Sequence, residues 1–428
     1  MSQVLSIEET SKILDVSKET LRRWDNAGKL KSIRNPINNY REYKKEDLLI
    51  FEKGKIHFKT SSHNHAVPSK EYKSIELFAG AGGLALGLEK AGIEHTLLNE
   101  IDKHAVKTLK KNRPNWNVEH GDIAEIDFTP YENKIDLLTG GFPCQAFSYA
   151  GKKLGFEDTR GTLFFEFARA LKETKAPVFL IENVRGLLSH EQGKTLETML
   201  TVLRDELGYH VFEPKVLKAI HYKVPQKRER LIIVGMKKEY ADTISYAYPE
   251  PHEKIYHLKD ALKKGDLFDC DVPSSIGQQY PERKKEILDL VPPGEYWRSL
   301  PIDIQKEYMQ KSFYLGGGKT GMARRISWDE PSLTLTCSPA QKQTERCHPE
   351  ETRPFQVREY ARIQTFPDDW IFEGAQTQQY KQIGNAVPVN LAEEIGYSIV
   401  KLLNDIYSLS NTEVVLEKTV NNTPSLFD

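Results

Sequence analysis

The stretch SIELFAGAGGLALGLEKAG, residues 74–92, runs from an apolar segment through a turn with three glycines into a second apolar segment. The first segment has the composition of a β-strand that ends at Phe78, and the second has the apolar spacing of a helix. Gly80, Gly82 and Gly83 lie between them, where missing side chains let the main chain approach a ligand closely. The stretch therefore predicts an α/β fold with a ligand-binding turn at the carboxyl edge of a sheet.

Strand and helix candidates alternate from residue 72 to about residue 240. The strand candidates are KSIELF, HTLLNE, KIDLLTGG, PVFLIEN and RLIIVGM, and the helix candidates are GLALGLEKAG, DKHAVKTLKKN, LFFEFARALKE and KTLETMLTVLRDELG. This alternation predicts a doubly wound, mostly parallel sheet with helices on both faces. Between about residues 240 and 350, prolines, aromatic residues and polar runs replace it, which predicts a smaller irregular lobe.

Composition describes an ordinary globular chain of 428 residues, with 39% hydrophobic and 28% charged residues and a net charge of −1. It contains no apolar run long enough to span a bilayer, and its start lacks a secretory pattern, so we expect a cytoplasmic protein with no membrane association. The cysteines lack the paired spacing of a disulfide framework or a zinc site, so no metal is expected. They are Cys144, Cys270, Cys337 and Cys347.

The N-terminal region predicts a DNA-binding helical unit. Ser6 with Glu9 and Ser17 with Thr20 mark two helix starts separated by a short turn, which is the helix-turn-helix pattern. Residues 18–45 carry nine lysines and arginines against three acidic residues. The stretch resembles winged-helix regulators of the mercury-resistance type, and that resemblance implies DNA contacts from Arg22 and Arg23 on the second helix.

We expect four segments along the chain. Residues 1–55 form the helix-turn-helix domain and residues 56–71 a polar linker. A catalytic domain combines residues 72–240 with residues 376–428, and a target-recognition domain spans residues 241–375.

Two acidic residues follow the glycine turn at intervals that suit a nucleotide. Glu100 closes the next strand candidate, about 20 residues on, where an acid accepts hydrogen bonds from ribose hydroxyls. Asp122 follows a third strand candidate and is placed to meet an adenine edge. This pattern alone leaves NAD, a flavin nucleotide and S-adenosylmethionine as possible ligands.

A second group of residues suits covalent catalysis. Cys144 follows the strand IDLLTGGF, and Pro143 stiffens the approach to its thiol. Glu182 ends another apolar strand, where desolvation raises the pKa of a carboxyl group. Arg228 and Arg230 lead into a later strand. A thiolate, a proton-bearing carboxyl group and a guanidinium suit methylation of cytosine at carbon 5, because thiolate addition to carbon 6 makes carbon 5 nucleophilic.

Taken together, the motifs resemble the cytosine-5 DNA methyltransferases of bacterial restriction–modification systems over about residues 72–400. The motifs that carry the resemblance occur in the family's order and are FAGAGG, NEID, GDI, GFPCQAFS, DTRGTLFFEFAR, IENVRG, QKRER, RPFQVREYARIQTFPDDW and QIGNAVPVNLAEEI. The resemblance implies a fold of the S-adenosylmethionine-dependent, Rossmann-like class and S-adenosyl-L-methionine as the cofactor.

The resemblance also implies roles for individual residues. Cys144 is the nucleophile, Glu182 engages ring nitrogen 3 and the exocyclic amine, Arg230 donates to the base carbonyl, and Arg228 lies nearby on phosphate or loop. The implied cofactor residues are Phe78, Ala79, Gly80, Gly82, Gly83, Glu100, Ile101, Asp122, Ile123, Pro143, Asn385 and Ala386. Gln145, Ser148, Arg324 and Arg325 are expected to contact DNA, with Lys342, Arg346 and Arg353 as further basic residues of the recognition region.

Double-stranded DNA is the expected partner, because a cytosine must be extruded from the duplex before carbon 6 becomes accessible. The loop from Gln145 to Arg160 is expected to move and to close over that base. A cognate restriction endonuclease is expected as a genetic partner, and the protein acts as a monomer on DNA or as a dimer through its N-terminal domain. The alternatives are a nucleotide-dependent oxidoreductase, a transcription regulator with a vestigial methylase fold, and a transfer-RNA methylase.

Overall fold

A computed structural model describes residues 4–35, 40–48, 50, 51, 53, 65–143 and 163–421, with side chains as far as residue 411. Among these residues, those up to Lys53, with Glu250–Lys254, form one compact unit. Those from His65 to Pro249 and from Ile255 onward form the other. No helix within the described part of the chain has the length and apolar character needed to cross a membrane.

The N-terminal unit places two helices against a small antiparallel sheet. Its elements are β1 (Val4–Ser6), α1 (Ile7–Leu14), α2 (Lys18–Asn26), β2 (Ile33–Arg34), β3 (Arg41–Lys44) and α3 (Lys45–Leu48), with strand order β1-β3-β2. The main-chain N–H of Glu9 donates to Ser6 Oγ and that of Thr20 donates to Ser17 Oγ, so both predicted helix starts are confirmed. Leu14, Leu21 and Tyr43 are buried between the elements.

One carboxylate ties α2 to the sheet of this unit. Asp25 accepts hydrogen bonds from the Ser32 main chain at 2.9 Å, the Ser32 hydroxyl at 2.7 Å and Arg41 Nε at 2.7 Å. Burial opposes the charge of Asp25, but these donors outweigh burial and lower its pKa to about 2. Arg41 is therefore a structural residue of the basic segment, whereas Arg22 and Arg23 on α2 are exposed.

The larger unit is built on an eight-stranded sheet. The first part of this unit holds β4 (Tyr72–Leu77), α4 (Gly83–Lys90), β5 (Ile93–Glu100), α5 (Lys103–Asn112), β6 (Val118–His120), β7 (Leu137–Gly140), α6 (Leu163–Thr174), β8 (Val178–Val184) and α7 (Lys194–Thr201). It continues with β9 (Tyr209–Val211), β10 (Lys215–Lys218), β11 (Gln226–Lys227) and β12 (Glu229–Lys237). The order is β10-β12-β8-β7-β4-β5-β6, and β9 pairs with β12.

The strand directions confirm the predicted mostly parallel sheet and explain where a site can form. The strands from β8 to β6 run parallel, whereas β12 runs antiparallel to β8. The chain leaves β4 toward β5 on one side and later returns to β7 on the other, so a crevice opens between β4 and β7. The start of β12 lies at the same sheet edge as the end of β8, because the two strands are antiparallel.

Alternate residues of the central strands enter two separate apolar clusters. Leu138, Phe179 and Ile233 pack with α6 and α7, whereas Leu180 and Ile232 pack with α4 and the long C-terminal helix. This period of two is the signature of a sheet that is covered on both faces, and it confirms the doubly wound class.

The region after β12 is poor in regular structure. Its elements are α8 (Leu258–Leu262), α9 (Glu282–Asp289), α10 (Ile302–Met309), β13 (Ser332–Leu333), α11 (Val357–Ile363), α12 (Gln376–Asn385) and α13 (Val389–Asn421). An apolar cluster of its own forms around Trp297, Met309 and Met322. Part of the predicted recognition segment thus has an apolar cluster of its own, whereas Leu258 and Phe355 pack in a cluster with Leu98 of β5. The four predicted segments stay predictions.

Gly87 on α4 marks a close helix contact and gives a test of the packing. A Cβ atom added at Gly87 would lie 2.3 Å from Ala392 Cβ and 2.6 Å from Glu393 N on α13. We expect Gly87→Ala to lower the free energy of unfolding by about 1–3 kcal/mol, because α4 and α13 must separate. Chemical denaturation measures the change. Gly265→Ala is the control, since a Cβ there meets nothing within 4 Å of described atoms; an equal loss in both variants would contradict the packing argument.

Candidate active site at the carboxyl edge of the sheet

The glycine turn after β4 is held in a conformation that few residues adopt. Phe78 has a φ of 60° and Gly80 a φ of 55°, both in the left-handed region. The Gly80 N–H donates to Glu100 Oε2 at 2.7 Å, and the Asp102 N–H donates to Glu100 Oε1 at 2.7 Å. Glu100 thus fixes the turn from the neighbouring strand. A Cβ built on Gly80 would meet no described atom within 4 Å, so the turn faces open space.

Further residues that were predicted to bind a nucleotide follow the neighbouring strands β5 and β6. Ile101 follows β5 and is 65% exposed, which is high for a large apolar side chain. Asp122 follows β6, the neighbour of β5; its side chain is exposed and accepts the Ala124 N–H, while Ile123 is buried. An exposed apolar side chain next to strand-end carboxylates has the character of an adenosine site.

The segment after α12 returns to the glycine turn from far along the chain. A Cβ at Gly83 would lie 2.3 Å from the Val387 carbonyl oxygen and 3.2 Å from Ala386 Cβ. Gly83 therefore lacks a side chain where the late segment packs against it. Asn385, one residue before, is exposed at this edge.

On the other side of the crevice, the segment after β7 packs against both the glycine turn and β8. The Phe142 ring lies 6.0 Å from the Phe78 ring in an edge-to-face arrangement. Asn183 Nδ2 donates to the Phe142 carbonyl at 2.9 Å. A Cβ at Gly141 would lie 2.8 Å from Glu182 Oε2, so only glycine fits beside that carboxylate. Pro143 is exposed and ends the described part of this segment. The predicted residues Cys144, Gln145 and Ser148, and the rest of the loop to Arg160, lie outside the described residues.

A buried ion pair joins β8 to β12. Glu182 is 9% exposed and Arg230 7% exposed, and the Arg230 guanidinium contacts the Glu182 carboxylate directly. Burial raises the pKa of Glu182 above its ordinary value, although Arg230 opposes the shift. The pair therefore presents a carboxyl group that takes up a proton more readily than an exposed glutamate.

Arg228 is buried and is bound to main-chain oxygens. Its side chain is 2% exposed and donates to the carbonyls of Leu335 at 3.2 Å, Gly384 at 2.9 Å and Asn385 at 3.4 Å. These contacts give Arg228 a structural role, and its catalytic or phosphate-contacting role stays a prediction. Its sequence position beside Arg230 gave no sign of this, because the carbonyl partners are more than 100 residues away.

Arg324 and Arg325 are likewise used inside the recognition region. Arg325 is 4% exposed and donates to the carbonyls of Val291 and Leu288, each at 2.7 Å, among other acceptors. Arg324 donates to both Glu330 oxygens, at 2.6 and 2.7 Å. Both guanidinium groups are engaged within the protein in this structure, and their predicted DNA contacts stay predictions. Two of the further basic residues are also engaged, Arg346 by carbonyls and Arg353 by Glu351 and Glu359.

Sequence reasoning missed two polar residues at this edge. Asn183 donates a hydrogen bond to the Phe142 carbonyl. The sequence feature that could have revealed it is its position directly after Glu182 in the IENV motif. Glu76 lies within β4 and is 2% exposed, and its Oε2 contacts no hydrogen-bond partner among the described residues. Burial, and then the nearby Glu100 and Glu182, raise the pKa of Glu76 well above its ordinary value. The sequence feature that could have revealed Glu76 is a single glutamate within an apolar strand.

The fold and this sheet edge define an α/β transferase of the methyltransferase class, and solved structures support that class. A prophage-encoded DNA modification methyltransferase of Escherichia coli is 26% identical and covers 78% of this chain and 100% of its own, with a TM-score of 0.56. A methyltransferase of Entamoeba histolytica shares the fold at 16% identity, covering 78% of this chain and 99% of its own, with a TM-score of 0.53.

The chain belongs to the C-5 cytosine-specific DNA methylase family, whose model matches residues 72–401. It is 67% identical over 407 residues to Type II methyltransferase M.Eco47II of Escherichia coli, covering 95% of this chain and 97% of the relative. It is 61% identical to M.PspPI of Psychrobacter, covering 91% and 94%. Residues 6–43 match the MerR family of regulatory proteins.

Asn183 gives a test of how the cysteine loop is positioned. We expect Asn183→Ala to lower the turnover number of methyl transfer by about 10- to 100-fold, because the Phe142 carbonyl loses its donor two residues before Cys144. Steady-state methylation and thermal melting measure this. Asn183→Asp should also be impaired, since it keeps the acceptor for the Val184 N–H but loses the donor. Asn117→Ala, which removes an exposed bond to the Thr96 carbonyl, is the control; full activity of Asn183→Ala would refute the positioning role.

Proposed function

We propose that this protein transfers a methyl group from S-adenosyl-L-methionine to carbon 5 of a specific cytosine in double-stranded DNA, as the modification enzyme of a restriction–modification pair. The observation that carries the proposal is the meeting of three features at one sheet edge. These are the glycine turn after β4, the segment Gly141–Pro143 that leads into Cys144, and the buried Glu182–Arg230 pair. The Type II relatives supply the restriction–modification context.

The residues at this edge fit the proposed cofactor. The open space beside Gly80, the exposed Ile101 and the carboxylates at the ends of β5 and β6 suit an adenosine. Phe78, Ala79, Gly82, Gly83, Pro143, Asn385 and Ala386 complete the proposed pocket. When bound, the cofactor supplies an electrophilic methyl group on a sulfonium. The protein's own part is to hold that group beside the cytosine and to make carbon 5 nucleophilic.

Each catalytic residue has a separate proposed step. The Cys144 thiolate adds to carbon 6 of the cytosine, which breaks the aromatic system and moves electron density toward ring nitrogen 3 and carbon 5. Glu182, whose pKa is raised by burial, holds a proton at nitrogen 3, and Arg230 donates to the base carbonyl. After carbon 5 has taken the methyl group, it loses its proton to solvent water and the sulfur–carbon 6 bond breaks. The proton at nitrogen 3 returns to Glu182, which restores the aromatic ring and the thiolate.

The cytosine must leave the duplex for these groups to reach it. We propose that the region around the Trp297 cluster is the target-recognition lobe that helps to hold the opened DNA. We also propose that the loop Gln145–Arg160 closes over the extruded base, with Gln145 and Ser148 near the DNA. Arg324 and Arg325 are held by contacts within the lobe, so a contact of either side chain with DNA requires that these bonds be exchanged.

A second function is favoured by the match of residues 6–43 to the MerR family. The exposed Arg22 and Arg23 lie on the second helix of a helix-turn-helix unit. M.Eco47II covers 95% of this chain, so its similarity extends into this unit. We propose that the unit binds DNA in addition to the methylated site, with regulation of the protein's own gene as the role. A cytoplasmic location follows from both proposals.

The covalent step is tested with a duplex that carries 5-fluorocytosine at the target position. With S-adenosylmethionine present, we expect the wild-type protein to form a stable adduct with this duplex, because after methyl transfer carbon 5 carries fluorine in place of the proton whose loss releases the sulfur. Mass spectrometry should place the adduct on Cys144. Cys144→Ser should bind DNA but form no adduct and transfer no methyl group. Bisulfite sequencing of plasmid DNA identifies the methylated base. Methyl transfer to an exocyclic amine, or an active Cys144→Ser variant, would overturn the proposal.

The role of Glu182 predicts a pH dependence. Burial raises the pKa of Glu182, so its proton is present at low pH and is lost as the pH rises through that raised pKa. The single-turnover rate should therefore fall on the alkaline side because nitrogen 3 loses its proton donor. Glu182→Gln carries permanent N–H donors, so it should be slower overall but lack this decline. Identical pH profiles for the two proteins would exclude the proposed role of Glu182.

The N-terminal proposal is tested by removing residues 1–55. We expect the shortened protein to methylate a cognate oligonucleotide at a similar rate but to lose binding to DNA upstream of its own gene. Replacing Arg22 and Arg23 together by alanine should have the same effect without deleting the unit. Arg283→Ala, an exposed arginine of the larger unit, is the control. Unchanged upstream binding in the double variant would rule out α2 as the DNA-reading helix.

A further inference from the structure

A buried polar network joins the recognition region to the segment that ends α12. Gln226 Nε2 donates to Gln364 Oε1 at 2.9 Å, and the Leu335 N–H donates to Gln226 Oε1 at 2.9 Å. Gln364 Nε2 in turn donates to the carbonyls of Ile383, at 2.7 Å, and Ala386, at 3.1 Å. These side chains lie within the interior, where each satisfied bond restricts its neighbours.

Arg228 donates hydrogen bonds to both of the segments that this network joins. It donates to the Leu335 carbonyl on the recognition side and to the Gly384 and Asn385 carbonyls on the α12 side. A Cβ at Gly384 would lie 2.5 Å from the Thr336 carbonyl oxygen and 2.9 Å from Cys337 N, so the two main chains touch directly. The network therefore holds residues 335–337 against residues 384–386.

Cys337 lies at the solvent end of this contact and reaches the side chain of Asn385. Its Sγ donates to Asn385 Oδ1 at 3.0 Å. Burial of the sulfur raises the pKa of the Cys337 thiol, so the S–H donor persists at neutral pH. The amide of Asn385 is thereby fixed with its oxygen toward sulfur. Among the described residues no protein acceptor takes the Nδ2 hydrogens, which stay available at the sheet edge.

We propose that Cys337 is a positioning residue for the cofactor: its thiol orients the Asn385 amide so that the Nδ2 hydrogens meet an acceptor oxygen of S-adenosylmethionine. This inference rests on the proposed function and goes beyond it, because it assigns to the recognition region a residue that sets cofactor affinity. Arg228 fixes the main chain of Asn385, and Cys337 fixes its side chain. Without the hydrogen bond from Cys337, ordering the Asn385 amide would cost free energy when the cofactor binds.

The first experiment measures binding of S-adenosylhomocysteine by calorimetry without DNA. We expect Cys337→Ala and Cys337→Val to weaken binding about three- to tenfold, as the loss of one hydrogen bond implies, whereas Cys337→Ser keeps a donor and stays within about twofold of wild type. In steady-state assays the KM for S-adenosylmethionine should rise while the turnover number at saturation changes little. Cys270→Ser is the control, because Cys270 is also exposed among the cysteines that the structure describes. Equal binding by all Cys337 variants, with intact thermal transitions, would refute the proposal.

The second experiment uses the full chain with Cys144→Ser, so that the proposed nucleophile cannot react. A thiol-specific methanethiosulfonate reagent should label both Cys337 and Cys270, and S-adenosylhomocysteine should slow labelling of Cys337 alone, as peptide mass spectrometry can show. Equal labelling with and without the compound would contradict a position beside the cofactor. If the unmodified wild-type protein failed to bind S-adenosylhomocysteine at all, the proposed function would fail. If wild type binds and the Cys337 variants do not differ from it, only the present inference fails.

Discussion

The contact between a buried glutamate and a buried arginine imposes the main constraint on this fold. Glu182 ends β8 and Arg230 begins β12, and the two meet because β12 runs antiparallel to β8. A parallel β12 would have carried its first residue to the opposite edge. Removing Glu182 leaves the charge of Arg230 uncompensated in the interior, which costs about 3–5 kcal/mol in comparable cases. Removing Arg230 raises the pKa of Glu182 further, so that carboxyl group takes up a proton instead. Three features accompany this ion pair. They are the antiparallel direction of β12, the absence of a side chain at Gly141 and the raised pKa of Glu182.

Several arginines of the predicted recognition region form hydrogen bonds with other parts of the protein. Arg325 directs its donors at the main-chain carbonyls of Leu288 and Val291, at the end of α9. Arg228, which lies outside this region, does the same at the Leu335 carbonyl and at the end of α12. A long cationic side chain with several donors can bond several carbonyls at once. This explains how a region with short helices and few strands stays compact. It also shows why a basic sequence segment need not be a basic surface.

Much of the fold and part of the site could be predicted from the sequence, for physical reasons that particular residues illustrate. The strands before Phe78, Glu100 and Glu182 have local apolar patterns, and parallel strands bring their carboxyl ends to one edge without further information. Arg228, Arg325 and Cys337 were different, since their partners are remote in sequence and the contacts depend on tertiary packing. Predictions on Cys144, Gln145 and Ser148 lie outside the described residues, so they stay predictions.

The return of the chain to the glycine turn has a consequence for synthesis on the ribosome. The carbonyl of Val387 and the methyl group of Ala386 cover Gly83, which belongs to the first strand–turn–helix of the sheet. That surface stays bare until more than 300 further residues have been translated. The glycine turn therefore stays partly uncovered during most of synthesis, and its packing is completed only after residues 386 and 387 have left the exit tunnel.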